Sequence, residues 1–264
     1  MNINYAATSQ AGARESNQDE TGVLLGEHCA CFLVCDGVAG TAGGDVAARI
    51  ARNALLSELA DDEAINPGDT ARWMKNADLA IRQAQRNMKD FKHMSTTIAA
   101  LFIDRDLQRS WWAHAGDSRI YHFHRGFIHS VTQDHSLAQQ MRDAGIDNAG
   151  INSNLLYNAL GVDGLPSVSY SPVVPLEDGD AFLICTDGFW CSLTQEEMEQ
   201  ALRMVNSPEE WLVLMQRAIN HSEEKDNLSA VAIWVGSPQD ITLLQSMADS
   251  ARFLPPRDSH QETL

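Results

Sequence analysis

The feature of the sequence that most restricts its possible folds is a set of aspartates at the boundaries of apolar, strand-like runs. Asp36 follows FLVC, Asp117 follows WAHAG, Asp187 follows FLICT, and Asp226 stands just before LSAVAIWV. Ends of adjacent strands meet in space, so we expect these carboxylates to face one another at one end of a sheet. Like charges a few ångströms apart are costly unless cations neutralise them or some of the groups stay protonated.

Hard divalent cations are the natural partners of such a cluster. Carboxylates together with a backbone carbonyl suit Mg²⁺ or Mn²⁺, whereas His and Cys residues at the spacing of a zinc site are missing from the sequence. Each Asp-Gly pair taken singly has a plainer interpretation, because such pairs are ordinary turn formers. The hypothesis of a metal centre therefore depends on the number and order of these motifs along the chain.

Composition excludes several classes of protein. The 264 residues carry a formal net charge of −17, which repels DNA and RNA at long range, so nucleic acid is not an expected partner. No apolar run approaches the roughly 20 residues that span a bilayer, and the first residues lack a secretory signal pattern. We therefore expect no membrane association and predict a cytoplasmic protein. Cys29, Cys31 and Cys35 alternate with apolar residues and are predicted to be buried thiols on one strand face.

Hydrophobic periodicity predicts an α+β protein in one domain over residues 1–236, followed by a C-terminal appendage at 237–264 that is partly helical and then polar. Strands are predicted at 3–9, 21–35, 96–103, 110–115, 119–124, 126–131, 167–174, 181–186 and 228–235. Helices are predicted at 45–59, 70–88 and 136–144, and two more begin at the capping boxes Thr194–Glu197 and Ser207–Glu210. The Gly/Asn/Asp-rich stretch 145–154 is predicted to be a mobile flap.

Short motifs recur in a definite order along the chain. They are RESNQD at 14–19, CDGVAGTAGG at 35–44, STT at 95–97, AHAGDSR at 113–119, TQDHS at 132–136, NALG at 158–161, TDG at 186–188 and DNLS at 226–229. This order resembles the metal-dependent serine/threonine protein phosphatases of the PP2C (PPM) family in their compact bacterial form, from about residue 3 to residue 235. The resemblance implies a PP2C-like αββα sandwich of two antiparallel sheets flanked by helices.

The same resemblance implies a dinuclear Mn²⁺ or Mg²⁺ centre that hydrolyses phosphoserine and phosphothreonine on proteins by attack of a metal-bridging water. The Asp36 carboxylate would bridge the two metals and the Gly37 carbonyl would bind one of them. Asp187 and Asp226 would complete the shell of the other metal. Asp19 would hold coordinating waters.

Two further residues receive roles from the resemblance. Arg14 would grip the substrate phosphate, and Asp117 would help to hold a third, weakly bound ion. The implied partners are phosphoproteins, expected to be substrates of a cognate Ser/Thr kinase, and the chain is expected to be a monomer. The alternative is a catalytically inactive module that keeps the fold as a regulatory surface; a module of that kind would be free to lose the metal-binding acids, which are all present here.

The sequence departs from the family pattern in three places. Val38 stands where many relatives carry His or Met, so no side chain there donates a proton to the leaving group. The flap at 145–154 is shorter than usual, and Tyr157 and Asn158 occupy the place where relatives often have Thr-Arg. These departures leave substrate choice open.

Other candidate sites have plainer interpretations. The stretch GDSRI at 116–120 lacks the last Gly of a serine-hydrolase elbow. The Gly-rich run 37–44 lacks the Gly-Lys-Ser/Thr ending of a nucleotide-binding loop. His122 and His124 share one strand face and are interpreted as exposed strand residues rather than metal ligands.

Overall fold

The computed structural model describes residues 1–38, 42–61, 63–146, 155–164, 167–219 and 226–236. Its strands are β1 (Ile3–Gln10), β2 (Asp19–Leu25), β3 (Cys29–Asp36), β4 (Ile98–Asp104), β5 (Arg109–Ala115), β6 (Arg119–His124), β7 (Phe127–Val131), β8 (Ser169–Tyr170), β9 (Val174–Pro175), β10 (Asp180–Cys185) and β11 (Leu228–Val235). Its helices are α1 (Gly44–Ser57), α2 (Thr70–Asn87), α3 (Leu137–Asp143), α4 (Asp187–Trp190), α5 (Gln195–Arg203) and α6 (Pro208–Ile219).

The strands form two antiparallel sheets. One sheet has the order β1-β11-β10-β6-β7, and the other has the order β2-β3-β4-β5-β8 with β9 also paired to β5. An apolar layer between the sheets includes Phe32, Phe182 and Val231. Helices α1 and α2 cover the outer face of the second sheet, and α5 and α6 cover the outer face of the first. The predicted αββα sandwich is therefore confirmed.

Alternation along β3 shows how the sequence produces these layers, because successive side chains of a strand point to opposite faces. Cys29, Cys31 and Cys35 belong to the layer beneath α1 and α2. Phe32 and Val34, between them, belong to the layer between the sheets. The three cysteines are buried thiols, as predicted, and none of the chain's cysteines forms a disulfide.

Helix starts agree closely with the sequence patterns. At α5 both hydrogen bonds of the predicted capping box are present, since the Thr194 hydroxyl accepts from the Glu197 N–H and the Glu197 carboxylate accepts from the Thr194 N–H. At α6 only half of the box forms, because the Glu210 side chain accepts instead from the Asn206 N–H at 2.9 Å. None of the helices in the described segments combines the length and apolarity needed to cross a lipid bilayer.

The interpretation of His122 as an exposed strand residue was wrong. Its ring is buried and stacked on Phe182, with 4.6 Å between ring centroids. This face of β6 points into the layer between the sheets, where Ile120 also lies. His124 is only partly exposed, and its Nδ1 lies 2.8 Å from a carboxylate oxygen of Asp180.

Two predicted segments fall outside the described residues. Of the predicted flap, residues 147–154 are not described, and the C-terminal appendage at 237–264 is not described at all. The short helix α4 (Asp187–Trp190), by contrast, is a described element that the sequence patterns did not predict.

Candidate active site

The candidate functional residues meet in a cavity of about 410 Å³. Most of the predicted site residues line it: Arg14, Asp36, Gly37, Asp117, Asp187 and Asp226. Asp19 is buried beside them, directly opposite Asp36 in the register of β2 and β3. Residues that are distant in sequence are thus brought together, because strands of both sheets and the helix α4 begin or end at this end of the sandwich.

Asp19 presents an unusual buried carboxylate. Its Oδ2 accepts a hydrogen bond of 2.9 Å from the Thr186 hydroxyl, whereas its Oδ1 has no hydrogen-bond partner. Burial is the largest cause that raises the pKa of Asp19, to about 6, despite hydrogen bonds that oppose the shift. A buried carboxylate oxygen without a donor is costly, and a bound cation would satisfy it.

Asp36 ends β3 and is fixed through its backbone. Its N–H donates to the Thr97 hydroxyl at 3.0 Å, and its carbonyl accepts from the Thr97 N–H at 2.8 Å. Burial raises the pKa of the Asp36 carboxyl well above its ordinary value, and the neighbouring charges of Asp19 and Asp187 raise it further. The carboxyl thus lies where negative charge is already concentrated.

Gly37 follows Asp36 at a point where two backbone segments come very close. A Cβ atom at this position would lie 2.4 Å from the backbone carbon of Gly44. Any side chain here would therefore push the loop after β3 away from the first residue of α1. Gly37 lines the cavity, and the lack of a side chain leaves its backbone uncovered there.

Asp117 and Asp187 occupy neighbouring walls of the cavity. Burial raises the pKa of Asp117 to about 8, with Asp187 and Asp134 as further causes. Asp187 is the first residue of α4, and its Oδ1 accepts from the Gly188 N–H at 2.7 Å. An acid in the first turn interacts favourably with a helix N-terminus, so α4 helps to hold this carboxylate in place.

Arg14 and Asp226 form a two-pronged ion pair at the cavity wall. The Arg14 Nε and Nη2 atoms donate to the two Asp226 carboxylate oxygens at 3.0 and 2.8 Å. The side chain of Arg14 is 53% exposed. The guanidinium therefore lies at the entrance to the cavity, paired with an acid for which the family resemblance implies a role as a metal ligand.

Asn227 organises the site, although no sequence pattern indicated a role for it. Its side-chain oxygen accepts from the Gln18 N–H at 2.9 Å, and its amide group donates to the carbonyls of Ala11 and Ser16 at 2.9 Å each. These bonds tie the loop that carries Arg14 to the residue beside Asp226. The motif DNLS contained the residue, but nothing local in the sequence indicates its distant partners.

The donor set fits divalent metal ions. All of the inward-facing candidates are oxygen donors, the ligand type that Mg²⁺ and Mn²⁺ prefer. Within the described residues, no group of three or more His, Cys, Asp or Glu side chains is arranged as a ready-made metal cage. The partnerless Asp19 oxygen and the raised pKa values of Asp36 and Asp117 nevertheless show that ionising all of these acids together is unfavourable, a cost that bound cations would offset.

The fold and the site together define a class of protein, an αββα sandwich with a carboxylate-lined candidate metal centre at one end. The chain belongs to the Protein phosphatase 2C family, whose sequence profile matches residues 7–231. The family predicted from the order of the motifs is therefore confirmed, and with it the class of enzyme, a protein phosphatase.

Similar proteins are bacterial phosphatases. The serine/threonine phosphatase stp of Listeria monocytogenes is 26% identical over 238 residues, which cover 86% of this chain and 93% of the relative. PstP of Mycobacterium tuberculosis is 27% identical over 252 residues, which cover 92% of this chain and 44% of the relative. The crystal structure of a PstP catalytic domain with two manganese ions is 26% identical, with a TM-score of 0.76, over 89% of this chain and 99% of that one.

Proposed function

We propose that this chain is a Mn²⁺- or Mg²⁺-dependent phosphatase that removes phosphate from phosphoserine and phosphothreonine in proteins. The observation that carries the proposal is the convergence of Asp36, Asp117, Asp187, Asp226 and Arg14 on one cavity in a chain of the Protein phosphatase 2C family. The names of the relatives and the manganese ions of the PstP structure support the same activity.

Each acid has a proposed role as a ligand. Asp36 would hold both of two ions, with the Gly37 carbonyl on one and Asp187 and Asp226 on the other. Asp19 would hold water molecules of the centre. When bound, the ions would supply a nucleophilic water at neutral pH and neutralise the charge of the phosphate. The protein's own contribution is a rigid, negatively charged end of the sandwich that faces one cavity.

Arg14 and Asp117 serve the substrate side of the cavity. The Arg14 guanidinium would hold two phosphate oxygens, a fork geometry that it already shows on the Asp226 carboxylate. Asp117 would be a ligand of a third, looser ion. Since Val38 lines the cavity and cannot donate a proton, protonation of the leaving serine or threonine oxygen would depend on the Asp117 side of the site.

Replacing Arg14 with Ala should raise KM and lower kcat/KM by about 5- to 150-fold, equivalent to about 1–3 kcal/mol, because one charge-assisted two-pronged contact to phosphate is lost. Steady-state kinetics on a phosphothreonine peptide measure this. Arg72→Ala is the matched control, since Arg72 is 56% exposed and also pairs with a carboxylate, that of Glu58. An unchanged KM in Arg14→Ala would remove Arg14 from the phosphate site.

Replacing Asn227 with Ala should lower the melting temperature and also raise KM several-fold. It deletes three hydrogen bonds of about 1 kcal/mol each, and these bonds hold the loop that carries Arg14. Thermal unfolding and peptide kinetics are measured on the same preparation. A lowered melting temperature with an unchanged KM would show that Asn227 supports the fold only.

The activity itself is tested by phosphate release from phosphoserine and phosphothreonine peptides and from p-nitrophenyl phosphate. We expect turnover with Mn²⁺, turnover with Mg²⁺, and none with excess EDTA. Mn²⁺ binding without turnover on any of these substrates would favour the alternative, an inactive binding module. Turnover that is insensitive to EDTA would contradict the metal centre.

The substrates proposed for the enzyme are the phosphoproteins made by a cognate Ser/Thr kinase in the cytoplasm. A cytoplasmic location is supported by five cysteines that form no disulfide, as expected in a reducing compartment. We further propose that the enzyme is a monomer. Phosphoproteomics of a deletion strain identifies the substrates, and light scattering coupled to gel filtration measures the oligomeric state.

A further inference from the structure

Trp190 joins the two elements that carry Asp117 and Asp187. It is the last residue of α4, the short helix that begins at Asp187. Its indole Nε1 donates a hydrogen bond of 3.0 Å to the backbone carbonyl of Asp117. One side chain thus connects the helix of one site acid to the backbone of another.

The face of the indole ring is covered by a second residue. The Arg119 guanidinium carbon lies 3.3 Å from the centre of the Trp190 ring. Arg119 is fixed in turn by two hydrogen bonds of 2.7 Å each to the Asp134 carboxylate. A ring under a guanidinium that is already locked in an ion pair has little freedom to turn.

Trp190 also lines a second cavity, of about 220 Å³, which shares Asp117 and Asp187 with the candidate active site. Trp190 does not line the active-site cavity itself, but the two cavities share this pair of acids. The indole hydrogen bond restrains the backbone that carries Asp117 relative to the helix that begins at Asp187.

We propose that Trp190 is a positioning residue that fixes Asp117 relative to Asp187. It would thereby set the geometry of the part of the active site in which Asp117 holds the third, loosely bound ion. The inference rests on the proposed phosphatase function. Trp190 does not line the candidate active-site cavity, and it acts through the backbone of Asp117.

The test uses Trp190→Phe, which removes the N–H donor and keeps an aromatic ring beneath Arg119. We expect kcat on a phosphothreonine peptide to fall about 3- to 10-fold, the usual value of one lost hydrogen bond, with little change in KM. The loss on p-nitrophenyl phosphate should be smaller, because its phenolate leaves without a proton. Calorimetric titration should show that the two tightly bound Mn²⁺ ions keep their affinity. The third ion, which binds only at high metal concentration, should bind more weakly than in the wild type.

Two variants control for the general loss of an indole hydrogen bond. Trp211 Nε1 donates to the Met198 carbonyl at 3.3 Å, and Trp111 Nε1 donates to the Thr70 hydroxyl at 2.8 Å, both within the helix-covered layers. Trp211→Phe and Trp111→Phe should lower the melting temperature and leave the ratio of the two substrates' rates unchanged. If one of them does not fold, the other supplies the comparison.

The outcomes separate this inference from the function on which it rests. A wild-type protein without turnover would overturn both. An active wild type, with a Trp190→Phe variant of equal kcat and equal substrate ratio, would overturn the role of Trp190 alone. The same substrate-ratio change in a control variant would also overturn it, because the effect would then be one of general stability.

Discussion

Replacing Asp36 with Asn should reduce Mn²⁺-dependent phosphate release by about 10³-fold or more in a protein that remains folded. The loss is expected because Asp36 is the proposed ligand of both ions, and the ions supply the nucleophile and most of the charge stabilisation. The fold should persist because the main structural bonds of Asp36 run through its backbone to Thr97. Initial rates and thermal unfolding are measured together.

Asp104→Asn is the matched control for this substitution. Asp104 is also a buried acid at a strand end, but it pairs with Cys29 in the register of β3 and β4, at the opposite end of the sheet from Asp36. It forms an ion pair with Arg109 at 2.9 Å. The control should lose stability and keep its turnover. Full activity in Asp36→Asn would remove the bridging role.

The metal-free protein should become more stable as the pH falls from 8 to 6.5. Asp117 and Asp19 have folded pKa values raised to about 8 and about 6, well above those of an unfolded chain, and Asp36 is raised in the same direction. The folded state therefore binds more protons than the unfolded state in this window, so protonation favours folding. The gain should be roughly 1–3 kcal/mol.

The gain per pH unit should become smaller below about pH 6.5. His135 and His114 have pKa values lowered chiefly by burial, that of His135 to about 4, so the unfolded state binds their protons first and opposes part of the gain from the acids. Urea unfolding of EDTA-treated protein at a series of pH values measures the slope in both ranges. Asp36→Asn should flatten the slope between pH 8 and 6.5, and saturating Mn²⁺ should raise stability most at pH 8. Stability that falls between pH 8 and 6.5 would contradict the buried acid cluster.

The acids of the site could be predicted from sequence because each belongs to a short local motif at a strand boundary. Asp36 and Asp187 are both followed by glycine after an apolar strand, so pattern and motif order together indicated the fold and the family. The placement of all these acids around one cavity agrees with that prediction. Their individual roles as ligands remain predictions.

Other features depend on partners that local patterns do not reveal. Asn227 bonds to Ser16 across 211 positions of sequence, and Trp190 reaches the Asp117 carbonyl from a four-residue helix that has no periodicity to detect. His122 looked like an exposed polar residue, but Phe182 on a neighbouring strand covers its ring. Such contacts are decided by which strands become neighbours in the folded protein.

The most direct test of the proposed metal centre is an anomalous difference map from crystals soaked in Mn²⁺. The proposal predicts two strong peaks about 4 Å apart, as in other two-metal sites, with the Asp36 carboxylate bound to both. Asp187 and Asp226 should contact one of the ions and the Gly37 carbonyl the other. A single peak, or peaks that Asp36 does not contact, would contradict it.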